Sequence, residues 1–322
     1  MNSTEETDKC CGTCQPDPPT KLPSPASSFE GYDFRNVVPP TTSRPNKWTK
    51  LSASYIIKDA FQLHTLLAIG AGLQAILSAA APKPWCFIPT AAALTIAPIV
   101  TLIQLVLPHI SIRGHRLSHT LLAGIVPGRS TARIPTSTGR YLAQDKNGLV
   151  VFHFGARFNH PLGVFAPGAR TMTKLFRANL SALEENRSEY GLLGADLFRG
   201  GASTRASNDT ILLVLYFRDV HGLQRFACSE AHQEAYRWLR VVTTAGQDGS
   251  SQKYPHLSAF HETFVVPADG YETLYINTAP ILLGNTYIEK EGDDDEQVWL
   301  SSLVDADDAR LRTMTARLKR SC

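Results

Sequence analysis

A chain of 322 residues, 43% of them hydrophobic, with a formal charge of +3, has room for one globular domain beside its tails and any membrane segment. The charge is small and scattered, which excludes the dense cationic footprint of a nucleic-acid-binding protein. Neither a Gly-x-Gly-x-x-Gly turn after a strand nor a Gly-x-x-x-x-Gly-Lys loop occurs, so no dinucleotide domain or P-loop is indicated.

Residues 1–50 are rich in Ser, Thr, Pro and Asp and have no periodic apolar face, so a disordered tail is expected. Cys10, Cys11 and Cys14 crowd this tail without a second ligand pair at zinc-site spacing. Residues 51–116 read as a transmembrane helical hairpin. Between Ala60 and Ile112 the only charged residue is Lys83, in the polar break Pro82-Lys83-Pro84, and each apolar window reaches the roughly 20 residues a span requires. Arg44, Lys47, Lys50 and Lys58 precede the hairpin, and Arg113 and Arg116 follow it. The positive-inside rule then puts both ends in the cytosol, with the endoplasmic reticulum as the expected membrane. Gln62, His64 and Gln74 keep open the alternative of a buried hairpin in a soluble protein.

From Tyr141 the periodicity changes. Leu149 to Phe158 alternates as a strand, with Val150, Phe152, Phe154 and Phe158 on one face and Val151, His153, Gly155 and Arg157 on the other. The stripe Met172, Leu175, Phe176, Leu180 and Leu183 predicts a helix over 169–186. Strands are predicted over 191–199 and 210–218, and a helical region over 220–242 with a break near Ser229. Strands over 260–266 and 272–277 are expected to close the unit at about residue 280. The order β-α-β-β-α-β is the ferredoxin-like arrangement, an α+β sheet with both helices on one face. The other face would be bare, carrying His153, Arg157, Tyr216 and His261, while Glu262 would point to the helices. Residues 281–322 read as an acidic loop followed by an amphipathic helix over 305–320, whose basic end suits anionic lipid.

His261 is the first candidate for a catalytic base, since imidazole exchanges protons near neutral pH. Arg157 has the fixed donors to steady an oxyanion. Asn159 is either a ligand for a carbonyl or part of the turn Asn159-His160-Pro161. His153, Tyr216 and His232 are candidate substrate contacts. The histidines are scattered and no paired-carboxylate spacing occurs, so no metal site is expected.

The segments HFGARFNHPLG (His153 to Gly163), YGLLG (Tyr190 to Gly194), FRDVHGLQRFACSEAHQEAYRWL (Phe217 to Leu239) and FHETFVVPADGYETLYINTAP (Phe260 to Pro280) resemble a monooxygenase family. It is the one containing the antibiotic-biosynthesis-type enzyme of the fungal fumagillin pathway, within the dimeric α+β-barrel superfamily. The resemblance implies a homodimer whose two sheets enclose a cavity. It also implies oxidation of an apolar terpenoid or polyketide intermediate of secondary metabolism, by hydroxylation or epoxidation, without a cofactor. Tyr271 and Asn277 lie in the matching C-terminal motif and are expected near substrate. Haem proteins of the superfamily leave a haem-dependent oxygenase or dehydratase as an alternative, and a membrane-tethered binding module is the non-enzymatic one.

Overall fold

The alternating run Leu149–Phe158 is an inner strand of a four-stranded sheet in the computed structural model. The structure describes residues 34–43, 45, 63–83, 85–106, 111–112, 115–116, 124–136, 138–141, 148–200, 210–245, 251–268, 270–291 and 297–318. The cysteine cluster, Gln62, the flanking Arg44, Lys47, Lys50, Lys58 and Arg113, and the acidic run 292–296 lie outside them.

Two helices come first, α1 (Leu63–Ala80) and α2 (Ile88–Val106), joined by a 3-10 turn at Trp85–Phe87. Both are long and apolar enough to cross a membrane. Their large side chains, among them Leu67, Ile76, Leu94 and Ile99, are exposed. Gln74 has its amide satisfied inside the hairpin. It donates to the Cys86 carbonyl at 2.9 Å and accepts from the Thr90 hydroxyl at 2.6 Å, so neither end of the amide needs water.

The domain proper runs β1 (Val126–Ala132), β2 (Leu149–Phe158), α3 (Ala169–Glu185), α4 (Arg187–Tyr190), β3 (Leu192–Arg199), β4 (Thr210–Phe217), α5 (Val220–Ala227), α6 (Glu230–Thr243) and β5 (Leu257–Val266). It ends with β6 (Tyr275–Thr278), β7 (Tyr287–Glu291), β8 (Gln297–Ser301), β9 (Leu303–Asp305) and α7 (Met314–Leu318). The main sheet has the order β3-β4-β2-β5 with every neighbour antiparallel, which is the ferredoxin-like topology. Val150, Phe152, Leu213, Leu215 and Phe217 pack on Leu180 and Leu183 of α3 and on Leu223 and Phe226 of α5. Each such buried side chain contributes roughly 1.5–3 kcal/mol. The break between α5 and α6 falls where the sequence places it: Ser229 caps α6 by accepting from the His232 amide at 3.4 Å.

Three expectations are corrected. The strand expected over 272–277 is β6, and it leaves the main sheet to pair with β1 in a second sheet ordered β9-β1-β6. Thr273 draws it there, its hydroxyl accepting from the Ala132 amide at 2.7 Å and its carbonyl from the Thr131 hydroxyl at 2.7 Å. The other face of the main sheet is consequently not bare along β3 and β4. Leu193, Val214 and Tyr216 pack there against Ala132, Leu283 and Ile288 of the same chain. Within the expected disordered tail, the segment 34–43 is ordered: Asn36 bridges to Val304, Thr41 bridges to Trp299, and Phe34 is buried with Tyr141, Val304 and Leu311. The helix expected over 305–320 is confined among the described residues to α7. Arg317 at its basic end is 5% exposed and ion-paired with Glu272, so it faces the domain and not a lipid surface.

Gly222 permits the closest helix contact, since a Cβ there would lie 2.1 Å from the Tyr190 carbonyl oxygen. Gly222→Ala is therefore expected to destabilise the domain by about 1–3 kcal/mol through overpacking. Chemical denaturation measures this, and an unchanged midpoint would show that α5 has room to shift.

Candidate functional site

Pairing between β2 and β5 decides which residues share a face. The register runs without interruption from Leu149 opposite Val266 to Phe158 opposite Leu257, which sets His261 opposite Phe154 and Glu262 opposite His153. Directly paired residues point the same way, so His261 faces the helices and Glu262 faces away. Both assignments reverse the sequence expectation. The cause is a fit between a missing side chain and an aromatic ring: Gly155 leaves room for Phe260, whose ring atoms would lie 2.1–2.7 Å from any Cβ at residue 155. Phe264 lies edge-on to His153 on that same face, with centroids 5.3 Å apart. The two aromatics that look like core residues in the sequence therefore point away from the helices.

On the helix face His261 sits 5.7 Å from the Phe152 ring, and His232 of α6 sits 5.3 Å from Phe226. Burial lowers the pKa of His232, and the neighbouring His261 lowers it further. Phe154 and Phe176 stack across the layer at 5.7 Å. Asn179 is buried here and donates to the carbonyls of Leu175 at 2.9 Å and Ala231 at 3.0 Å, tying α3 to the start of α6. The sequence reading passed over Asn179, although a polar residue on the apolar stripe of a helix is a visible signal.

Farther along the strands the sheet–helix layer opens into a cleft of about 760 Å³. Its sheet wall is Phe158, Leu197, Arg199 and Ile211, and the facing wall is α3. Leu213 pairs with Phe154 on one side and Leu197 on the other, and Phe154 pairs with His261, so this row runs from Leu197 at the cleft to His261 on the edge strand. The space beside His232 is about 10 Å³, and His261, on the edge strand, is exposed. The described lining of the cleft offers no His, Cys, Met or Tyr ligand for a haem iron.

The remaining candidates are on the far face or at the ends of strands. His153 Nδ1 lies 3.4 Å from Glu262 Oε2, an exposed pair of little energetic weight. Arg157 shares that face, opposite Ser258 and Thr210, so the whole sheet separates it from His261. Tyr216 is buried beneath the second sheet, and burial first, then Tyr275 and Asp196, raise the pKa of its phenol. Asn159 closes the end of β2, its amide N–H donating to the His256 carbonyl at 2.8 Å. Tyr271 packs in the cluster beneath the second sheet. Asn277 has a φ of 48° and accepts from the Gly128 amide at 2.8 Å where the register of β1 and β6 shifts, a structural position. The structure thus puts His261 near enough to His232 to lower its pKa, brings His153 to Glu262, and separates both from Tyr216, Tyr271 and Asn277. Among the described residues no group of three His, Cys, Asp or Glu side chains is placed to hold a metal ion.

An antiparallel sheet in this order, with its helices on one face, defines a ferredoxin-like α+β domain. A sequence profile for the family described as Monooxygenase af470-like matches residues 149–283. Monooxygenase af470 of Aspergillus fumigatus is 34% identical over 283 residues, covering 87% of this chain and 95% of the relative. The chain belongs to this monooxygenase family, and with it to the oxidoreductases. Among solved structures, SnoaB from Streptomyces nogalater, titled a cofactor-independent oxygenase, is 10% identical, with 37% of this chain and 91% of that one covered and a TM-score of 0.23. An aldoxime dehydratase in complex with butyraldoxime is 15% identical, with 50% and 40% covered and a TM-score of 0.34. At these TM-scores neither structure bears on the chemistry of this chain.

His232 is expected to titrate below the ordinary imidazole value of 6.5. A folded pKa below the unfolded one means that the unfolded chain takes up the proton first. The stability carried by the neutral ring is then complete above pH 6.5 and declines as pH falls from there towards the lowered value. NMR titration of the ring carbons tests this. In His261→Ala the pKa should rise, yet stay below the ordinary value because burial remains, and a wild-type pKa at or above 6.5 would contradict the packing described.

Proposed function

We propose that the chain is a membrane-anchored monooxygenase whose active site is the layer between the main sheet and α3 and α6, with His261 as the base. The carrying observation is that the β2–β5 register sets His261, exposed and 5.7 Å from the Phe152 ring, on the same face of the sheet as the cleft. An imidazole in that position suits proton removal from an activated carbon. The cleft falls within the roughly 300–1,000 Å³ of small-molecule sites. The substrate is an apolar terpenoid or polyketide whose body fills the cleft, and its reacting carbon reaches His261 once the Phe176 ring swings off Phe154.

Without a cofactor, the substrate carbanion gives its electrons to oxygen and forms a carbon–oxygen bond. The proton held by His261 passes to the distal peroxide oxygen, and loss of water leaves a carbonyl. One oxygen atom enters the product and the other leaves as water, so a methylene becomes a ketone without an outside reductant. Hydroxylation or epoxidation of the same substrate requires two electrons from an external donor as well. Arg157 is not assigned to the oxyanion, because it lies across the sheet.

The exposed part of the far face, where Phe260 and Phe264 are 41% and 47% exposed, is the proposed contact with a second copy of the chain. A twofold axis would set the same residues against themselves and cover both rings. The hairpin is the proposed anchor, holding the domain at the cytosolic side of the endoplasmic reticulum. Apolar substrates concentrate in that bilayer.

Two measurements test these assignments. With the full chain in lipid nanodiscs and a panel of cyclic terpenes and polyketide enols, His261→Ala should lower oxygen uptake by about a hundredfold, while His153→Ala changes it less than about threefold. Equal losses in the two variants would move the site to the other face. Sedimentation of the full chain in mild detergent should give a dimer that Phe264→Glu converts to monomer, and a wild-type monomer would refute the interface.

A further inference from the structure

The cleft is apolar on its floor and cationic at its rim. Arg170, Lys174 and Arg177 line it from α3 at spacings of four and three, and Arg199 lines it from the sheet; no carboxylate lines it among the described residues. This arrangement works against the helix that carries it. Like charges one turn apart repel, and a cation in the first turn opposes the helix dipole, where acids are favoured and α3 has none. Each conflict is relieved by a negative charge in the cleft. Arg199 comes from the last position of β3, directly opposite Ile211, so its guanidinium stands beside the apolar floor of Phe158, Leu197 and Ile211.

We infer that this cleft binds an amphipathic anion, with its apolar body on that floor and its acidic head between Arg199 and the cationic row of α3. Taken with the reading above, on which this step rests, the substrate carries an acidic group at the end remote from the reacting carbon. The same chemistry belongs to a free long-chain carboxylate and to an acidic lipid whose head group enters from the bilayer.

The test uses the full chain in phosphatidylcholine nanodiscs, with 11-(dansylamino)undecanoic acid and its methyl ester as probes, corrected against protein-free nanodiscs. The acid should bind at least tenfold more tightly than the ester, and its affinity should fall with added salt while that of the ester does not. The double variant Lys174→Gln with Arg177→Gln should lose about tenfold in affinity for the acid and keep that for the ester. Displacement of the acid by decanoate identifies a free carboxylate as the ligand, and displacement by phosphatidate in the disc identifies a lipid head group; either supports the site. Equal binding of acid and ester, or binding of the acid that neither salt nor the double variant weakens, overturns it. Charge-dependent binding without oxygen uptake on any substrate would leave this site standing and refute the oxygenase reading instead.

Discussion

The ten-residue ladder between β2 and β5 is the constraint on which the chemistry of this domain depends. A strand has a side-chain period of two, so a slip of one residue would exchange its whole set of neighbours. Leu257 at one end is buried under the α3 layer, and Phe260 fills the space over Gly155 in the middle. Together these fix one register. His261 then faces the helices, and Glu262 joins His153 on the far side.

The two faces of the sheet consequently have different physical characters. Where the helices cover it, the helix face is dry and aromatic, and burial lowers the pKa of His232 because the charged ring has little water to solvate it, whereas His261 on the edge strand is exposed. The far face is divided. Its β3–β4 half is sealed by the second sheet, with Asp196 accepting from the Leu282 amide and from the Asn285 side chain to hold the 3-10 turn Leu282–Asn285 against it. Burial raises the pKa of Asp196, and those two hydrogen bonds work in the opposite sense. The β2–β5 half keeps two exposed aromatics.

Much of this was legible in the residues. The helix stripe from Met172 to Leu183, the aromatic alternation of β2 and the Ser229 break are local signals with their own periods or caps, and each lies where expected. The family resemblance, carried by the same segments, is borne out. What failed was non-local. Phe260 and Phe264 look like a core face until the absence of a side chain at Gly155, on another strand, is taken into account. The β6 segment reads as a strand, yet nothing within it tells that its partner is β1, whose Pro127 and Gly128 break any alternation. His261 stood out by chemical type, while its companion His232 became a partner only through the approach of α6 to the sheet.

The ordered stretch 34–43 bears on how such a chain is made. Its bridges to Trp299 and Val304 join segments on opposite sides of the two apolar helices and of the whole main sheet. Contacts of such long sequence separation form last, because the intervening loop has to close before they yield any stabilisation. During synthesis the early segment therefore waits, unpaired, until the strands near residue 300 have emerged. By then both apolar helices have left the ribosome. The final closure clamps the chain on either side of the two helices to a single folded body, so they form an excursion that begins and ends at the same domain.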